Sequence, residues 1–140
     1  MTDSTETAPD KVVPRKLTIR ASGSRLGTID DDGTISDKGG GSIGRVDKNL
    51  TIRSEGGSRL GKVDEDGTIC GSGGGSIGRI YGDGTIRNES GDRVGKIDSD
   101  GGVNNASGST VGEVEGYSTD LRLLVGGVLF LMRDISMLKV

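Results

Sequence analysis

The chain has 140 residues, a formal net charge of −3, 27 glycines, 2% aromatic residues, no histidine and one cysteine, a composition with little material for an ordinary core. The lack of histidine excludes a Ser-His or Cys-His nucleophile, and a single cysteine excludes an intrachain disulfide framework. Scarce aromatics argue against base stacking or a sugar platform, and the mild charge implies no strong attraction to nucleic acid.

Residues 1–16 read as a flexible polar tail carrying both prolines, Pro9 and Pro14. The segment Met1-Thr-Asp-Ser-Thr-Glu-Thr-Ala-Pro-Asp10 has no basic region followed by an apolar stretch, so no secretory signal is expected and a cytoplasmic location is the default.

From Leu17 to Glu115 the chain varies one 17-residue unit, which assigns residues 17–116 to a six-repeat β domain. An apolar-Gly-x-apolar element recurs as Leu26-Gly-Thr-Ile29, Ile43-Gly-Arg-Val46, Leu60-Gly-Lys-Val63, Ile77-Gly-Arg-Ile80, Val94-Gly-Lys-Ile97 and Val111-Gly-Glu-Val114. A Thr-Ile element starts at Thr18, Thr34, Thr51, Thr68 and Thr85 and degenerates to Gly102-Val-Asn. The second and fourth copies share Gly-Gly-Gly-Ser-Ile-Gly-Arg and the first and third share Ser-Arg-Leu-Gly, a weaker 34-residue period.

Each unit alternates a β-prone piece with a turn signal. Asp30-Asp-Asp-Gly33, Asp64-Glu-Asp-Gly67 and Asp98-Ser-Asp-Gly101 fit a type I turn with glycine in the left-handed region, while Ser90-Gly91 and Ser107-Gly108 mark the opposite turn. The result is an all-β expectation: six tandem β-hairpins in an antiparallel meander. Val94 and Ile97, three apart, would face opposite sides of a flat strand, so a bulge or bend at Gly95 is expected. A narrow parallel β-solenoid, with Ile35, Ile43 and Val46 pointing inward from different sides, is the alternative.

Units of the form I-x-x-D-G-T-I-x-N-x-S-G-x-x-V-G-K-I over residues 17 to about 132 resemble the bacterial β-flower proteins, whose short hairpin repeats are arranged as petals around an axis. The resemblance implies a fold, with no defined activity and no catalytic residues.

Residues 117–140 form an apolar C-terminal segment expected to pack on the repeats or on a partner, because the repeats alone offer a thin core. As a hairpin, Gly126-Gly127 is its turn and Asp120 lies opposite Arg133. As a helix, Leu121, Leu124, Val128, Leu131, Ile135 and Leu138 form a stripe, but two central glycines cost about 1 kcal/mol each, which favours the hairpin. About ten uncharged residues between Arg122 and Arg133 fall short of the roughly 20 a helical span needs.

Four motifs invite chemistry, and each has a plainer structural reading. The Asp-rich turns suggest calcium, yet an EF-hand aligned on Gly33 has Thr28 and Gly39 where acidic ligands belong, so they read as hairpin turns. Gly56-Gly-Ser-Arg-Leu-Gly-Lys62 begins like a phosphate-cradling loop, but Val63 replaces its Ser or Thr and no long helix follows. Arg45, Lys62, Arg79 and Lys96 occupy one repeat position, and Asp30, Asp47, Asp64 and Asp98 another; stacked, they would form charge ladders, solvated or mutually paired. Cys70 falls where Arg53 and Arg87 stand in neighbouring copies and reads as a surface variant.

No catalytic, cofactor-binding or metal-ligating residue is assigned. The expectation is a non-enzymatic structural or interaction protein that forms a homo-oligomer through repeat edges or the Leu121–Met132 segment. Membrane association or pore formation through the C-terminal segment is one alternative, and a cation- or anionic-polymer-binding module another. Nucleic acid is not an expected partner.

Overall fold

A computed structural model describes residues 15–21 and 23–132 of the chain. Twelve strands run in order: β1 (Leu17–Ala21), β2 (Ser24–Ile29), β3 (Thr34–Asp37), β4 (Ser42–Val46), β5 (Thr51–Ser54), β6 (Arg59–Val63), β7 (Thr68–Gly71), β8 (Ser76–Ile80), β9 (Thr85–Asn88), β10 (Arg93–Ile97), β11 (Gly102–Asn105) and β12 (Thr110–Glu115). A short 3-10 turn, Thr119–Leu121, leads into the single helix α1 (Arg122–Leu131). Every strand pairs antiparallel with its sequence neighbours, and β12 returns to β1 at Ile19 opposite Val114, so the meander closes as a barrel. The hairpin expectation therefore holds, and the parallel solenoid does not.

The apolar-Gly-x-apolar element shows why the strands are not cleanly alternating. In each of the six hairpins the register slips at the apolar residue before the glycine: Leu26, Ile43, Leu60, Ile77, Val94 and Val111. This bulge places the glycine opposite an inward isoleucine, as in Gly44 opposite Ile35, Gly61 opposite Ile52 and Gly78 opposite Ile69. From there ordinary alternation resumes: Gly44 and Val46 face in, Arg45 faces out.

The bulge glycines leave room for the helix. A Cβ at Gly44 would lie 2.6 Å from Met132 Cε, at Gly61 2.8 Å from Leu131 Cδ1, and at Gly78 2.8 Å from Phe130 Cζ. Leu17, Ile19, Ile29, Ile35, Val46, Ile52, Ile69, Ile86 and Val103 line the interior, and Val125, Val128 and Leu129 of α1 fill it; all are fully buried.

This helix corrects the hairpin reading of Leu121–Met132. Its ten residues are apolar almost all round, the pattern of a helix enclosed on every side. With every barrel strand already paired, a hairpin would find no edge to join, whereas a helix bonds most of its own backbone groups. Gly126 and Gly127 are packing positions and not a turn: a Cβ on the first would lie 2.6 Å from Ile80 Cδ1, and on the second 2.5 Å from Val63 Cγ2. That fit offsets the propensity cost of two glycines. Arg133, Ile135 and Leu138, together with the tail up to Pro14, lie outside the described residues.

Candidate functional site

An antiparallel meander puts alternate connections at opposite ends. Five turns, β2–β3, β4–β5, β6–β7, β8–β9 and β10–β11, share one rim with the entry of the helix. They open with Asp30, Asp47, Asp64, Tyr81 and Asp98 and are built alike. The third residue of each accepts a hydrogen bond from the backbone N–H two residues on: Thr34 to Asp32 (3.0 Å), Thr51 to Asn49 (3.2 Å), Thr68 to Asp66 (3.0 Å), Thr85 to Asp83 (2.9 Å) and Gly102 to Asp100 (3.0 Å). The backbone N–H of the following threonine, then its hydroxyl, holds the carboxyls of Asp32, Asp66 and Asp83 below their ordinary value. The carbonyl of the fourth residue accepts a hydrogen bond from the next hairpin, Val46 N to Gly33 O at 2.8 Å and Ile80 N to Gly67 O at 2.8 Å, which locks neighbouring petals together. The Asp-rich turns are thus structural, and no group of three or more acidic or cysteine side chains among the described residues could hold a metal ion.

The other sequence candidates are equally placed by the repeat. Gly56 and Gly57 form the β5–β6 turn, and Arg59–Val63 is strand β6, not a phosphate loop leading into a helix. The Cys70 thiol donates to Asp64 Oδ2 at 3.8 Å; burial first, then Asp64, pushes it above its ordinary value, which keeps it protonated and weakly nucleophilic.

The outer wall carries the charge. Arg45, Lys62, Arg79 and Lys96 face outward, but the barrel does not stack them on one another. Each lies between a threonine (Thr34, Thr51, Thr68, Thr85) and a residue of the following strand (Arg53, Cys70, Arg87, Asn104). Two of these juxtapositions are arginine against arginine, Arg45 opposite Arg53 and Arg79 opposite Arg87, 34 residues apart. Like charges directly opposite destabilise a sheet. At the first pair Asp47 relieves them, with Oδ1 at 3.6 Å from Arg45 Nε and Oδ2 at 3.2 Å from Arg53 Nε.

The turn-opening residue regularly reaches the side chain six positions on. Asp64 accepts from Cys70, and Asp98 accepts from Asn104 Nδ2 at 3.2 Å. At the fourth turn the residue is Tyr81, whose ring has the Arg79 guanidinium 5.5 Å and the Arg87 guanidinium 5.8 Å from its centroid. The sequence holds the signal for this exception only as a gap in the column of aspartates.

No curated protein and no solved structure matches the chain. A family model described as a 5-fold beta-flower protein matches residues 15–126, over which the barrel counts six hairpins. With bulged hairpins closed as petals around an apolar axis, the chain belongs to the β-flower family.

Proposed function

We propose that the protein is a non-enzymatic interaction module whose contact surface is the outer wall of the barrel, and that the wall takes anionic partners. The observation that supports this reading is the set of outward cations on strands β4 to β6 and β8 to β10, interrupted by Cys70 on β7: Arg45, Arg53, Lys62, Arg79, Arg87 and Lys96, two pairs of them in direct opposition. Nature places like charges opposite each other at a cost in stability, which function explains more readily than folding.

Self-association through strand edges or through Leu121–Met132 loses both surfaces within one chain, because the edges are paired and α1 is enclosed. Any homo-oligomer is accordingly assigned to the wall as well. The membrane reading loses its segment in the same way, and no helix among the described residues is long and apolar enough to cross a membrane.

The test is titration of the full chain with poly-glutamate at rising salt. Binding that weakens steeply with salt, and that the quadruple variant R45Q/K62Q/R79Q/K96Q loses, is the expected result. Absence of binding at low salt overturns the proposal.

A further inference from the structure

The two arginine pairs form an internal comparison, because the 34-residue repeat builds them alike. Arg53 donates through Nη1 to Gly57 O at 3.2 Å, and Arg87 through Nη1 to Gly91 O at 2.9 Å. Arg45 and Arg79 each face the carboxyl of the preceding turn, Asp32 and Asp66, from beyond ion-pair distance. A third arginine stands opposite each second one, Arg59 opposite Arg53 on β6 and Arg93 opposite Arg87 on β10. The difference is the turn-opening residue: Asp47 seats a carboxylate between its pair, and Tyr81 leaves its pair without one.

A cation–π contact orients a guanidinium without neutralising it. Among the described residues neither Arg79 nor Arg87 has a carboxylate within ion-pair distance, and Arg93 Nε is buried with no hydrogen-bond partner. Tyr81 is 40% exposed, and is the exposed large apolar side chain of the described surface. Arginine and tyrosine together are the residue types that anchor protein interfaces, where a planar guanidinium takes a carboxylate and a ring supplies rigid contact area.

We infer that Arg79, Arg87 and Tyr81 form an open receptor for a carboxylate carried by an acidic segment of a partner protein. The incoming carboxylate supplies the negative charge that Asp47 supplies intramolecularly 34 residues earlier and that the Tyr81 ring does not, accepting from the two guanidinium groups beside that ring. This site rests on the reading of the wall as an anion-binding surface and narrows it to one position.

The probe is a hexaglutamate peptide, titrated into the full chain while the arginine Nε–H, lysine side-chain and tyrosine ring resonances are followed. Saturable shifts at Arg79, Arg87 and Tyr81, with Arg45 and Arg53 unmoved, are expected. Tyr81→Asp restores the residue that the other four turns carry, and it should weaken the dissociation constant at least about tenfold. Equal shifts at both arginine pairs, or unchanged affinity in Tyr81→Asp, overturn the site. Shifts spread over Lys62, Lys96 and Arg59 overturn the site while sparing the broader reading of the wall; no shift anywhere overturns both.

Discussion

At the fourth position of the rim turns, Gly33, Gly67, Gly84 and Gly101 have φ between 93° and 95°, and Leu50 holds the same place with φ 66°. A Cβ at Gly67 would run into the Ile80 carbonyl oxygen, so a side chain fits only if the turn shifts, as it does at Leu50. The shift shows in the smaller φ, and the carbonyl still accepts the bond to the next petal: Val63 N to Leu50 O is 3.1 Å, beside 3.0 Å at Gly84 and 2.8 Å at Gly33, Gly67 and Gly101. Gly67→Ala should therefore cost about 2 kcal/mol or more in a denaturation experiment, above the ordinary left-handed penalty.

One residue earlier in the same turns, charge enters. The carboxyls of Asp32, Asp66 and Asp83 titrate below their ordinary value of 3.8. A depressed folded value means stability that is fully present above about pH 4 and is lost as pH falls through the lowered value. Asn49 shows that an amide serves the turn as well, accepting from Thr51 N without a charge. The triple variant D32N/D66N/D83N should melt near the parent temperature at pH 7 and lose less on acidification to pH 3. Asp66→Ala, which removes the acceptor, should lower the melting temperature at both. Thermal denaturation by circular dichroism across that range checks both, and parallel acid limbs for parent and triple variant would refute the assignment.

The elements are bulged hairpins and one enclosed helix, and they were unequally legible. The bulge was visible because Val94 and Ile97 stand three apart on a strand that must bury both, and the slip at Val94 is what reconciles them. The helix was not, because Gly126-Gly127 satisfies a hairpin turn and an enclosed helix alike. What decides is contact with Ile80 and Val63, residues far away in the chain whose position depends on closure of the barrel. The receptor site was hidden for a related reason: the antiparallel register sets Arg79 opposite Arg87, a pairing that the repeat spacing alone does not display. The helix contact is testable by mutation. Gly127→Ala gains about 1 kcal/mol in helix propensity but meets stiff Val63 Cγ2 at 2.5 Å, and overpacking of that kind costs about 1–3 kcal/mol. The single variant should be destabilised by about 1 kcal/mol. In combination with Val63→Ala the loss should fall below the sum of the two single losses by about 1 kcal/mol, a coupling a double-mutant cycle measures. Strict additivity would mean that the helix does not lie against β6.

For the whole molecule, the petals and the helix are each incomplete alone. Twelve strands of four to six residues offer only an inner face of single aliphatics and glycines, and the glycines of the bulges leave space that Phe130, Leu131 and Met132 occupy. Closure of the sheet therefore depends on what fills it, since an emptied barrel would leave its lining without contacts or would collapse and strain the register. Seven side chains of the segment are buried there: Leu121, Leu124, Val125, Val128, Leu129, Phe130 and Met132. At about 2 kcal/mol each, their removal amounts to on the order of 14 kcal/mol, comparable to the whole stability of an ordinary domain. A chain ending at Gly116 should accordingly fail to give a cooperative melt and should bind a hydrophobic dye, while the full chain melts in one transition. Light scattering coupled to size exclusion separates loss of folding from loss of assembly. A truncated chain that is folded and monomeric beside an oligomeric full chain would make α1 an assembly element, whereas loss of folding on truncation makes it the axis on which the petals close.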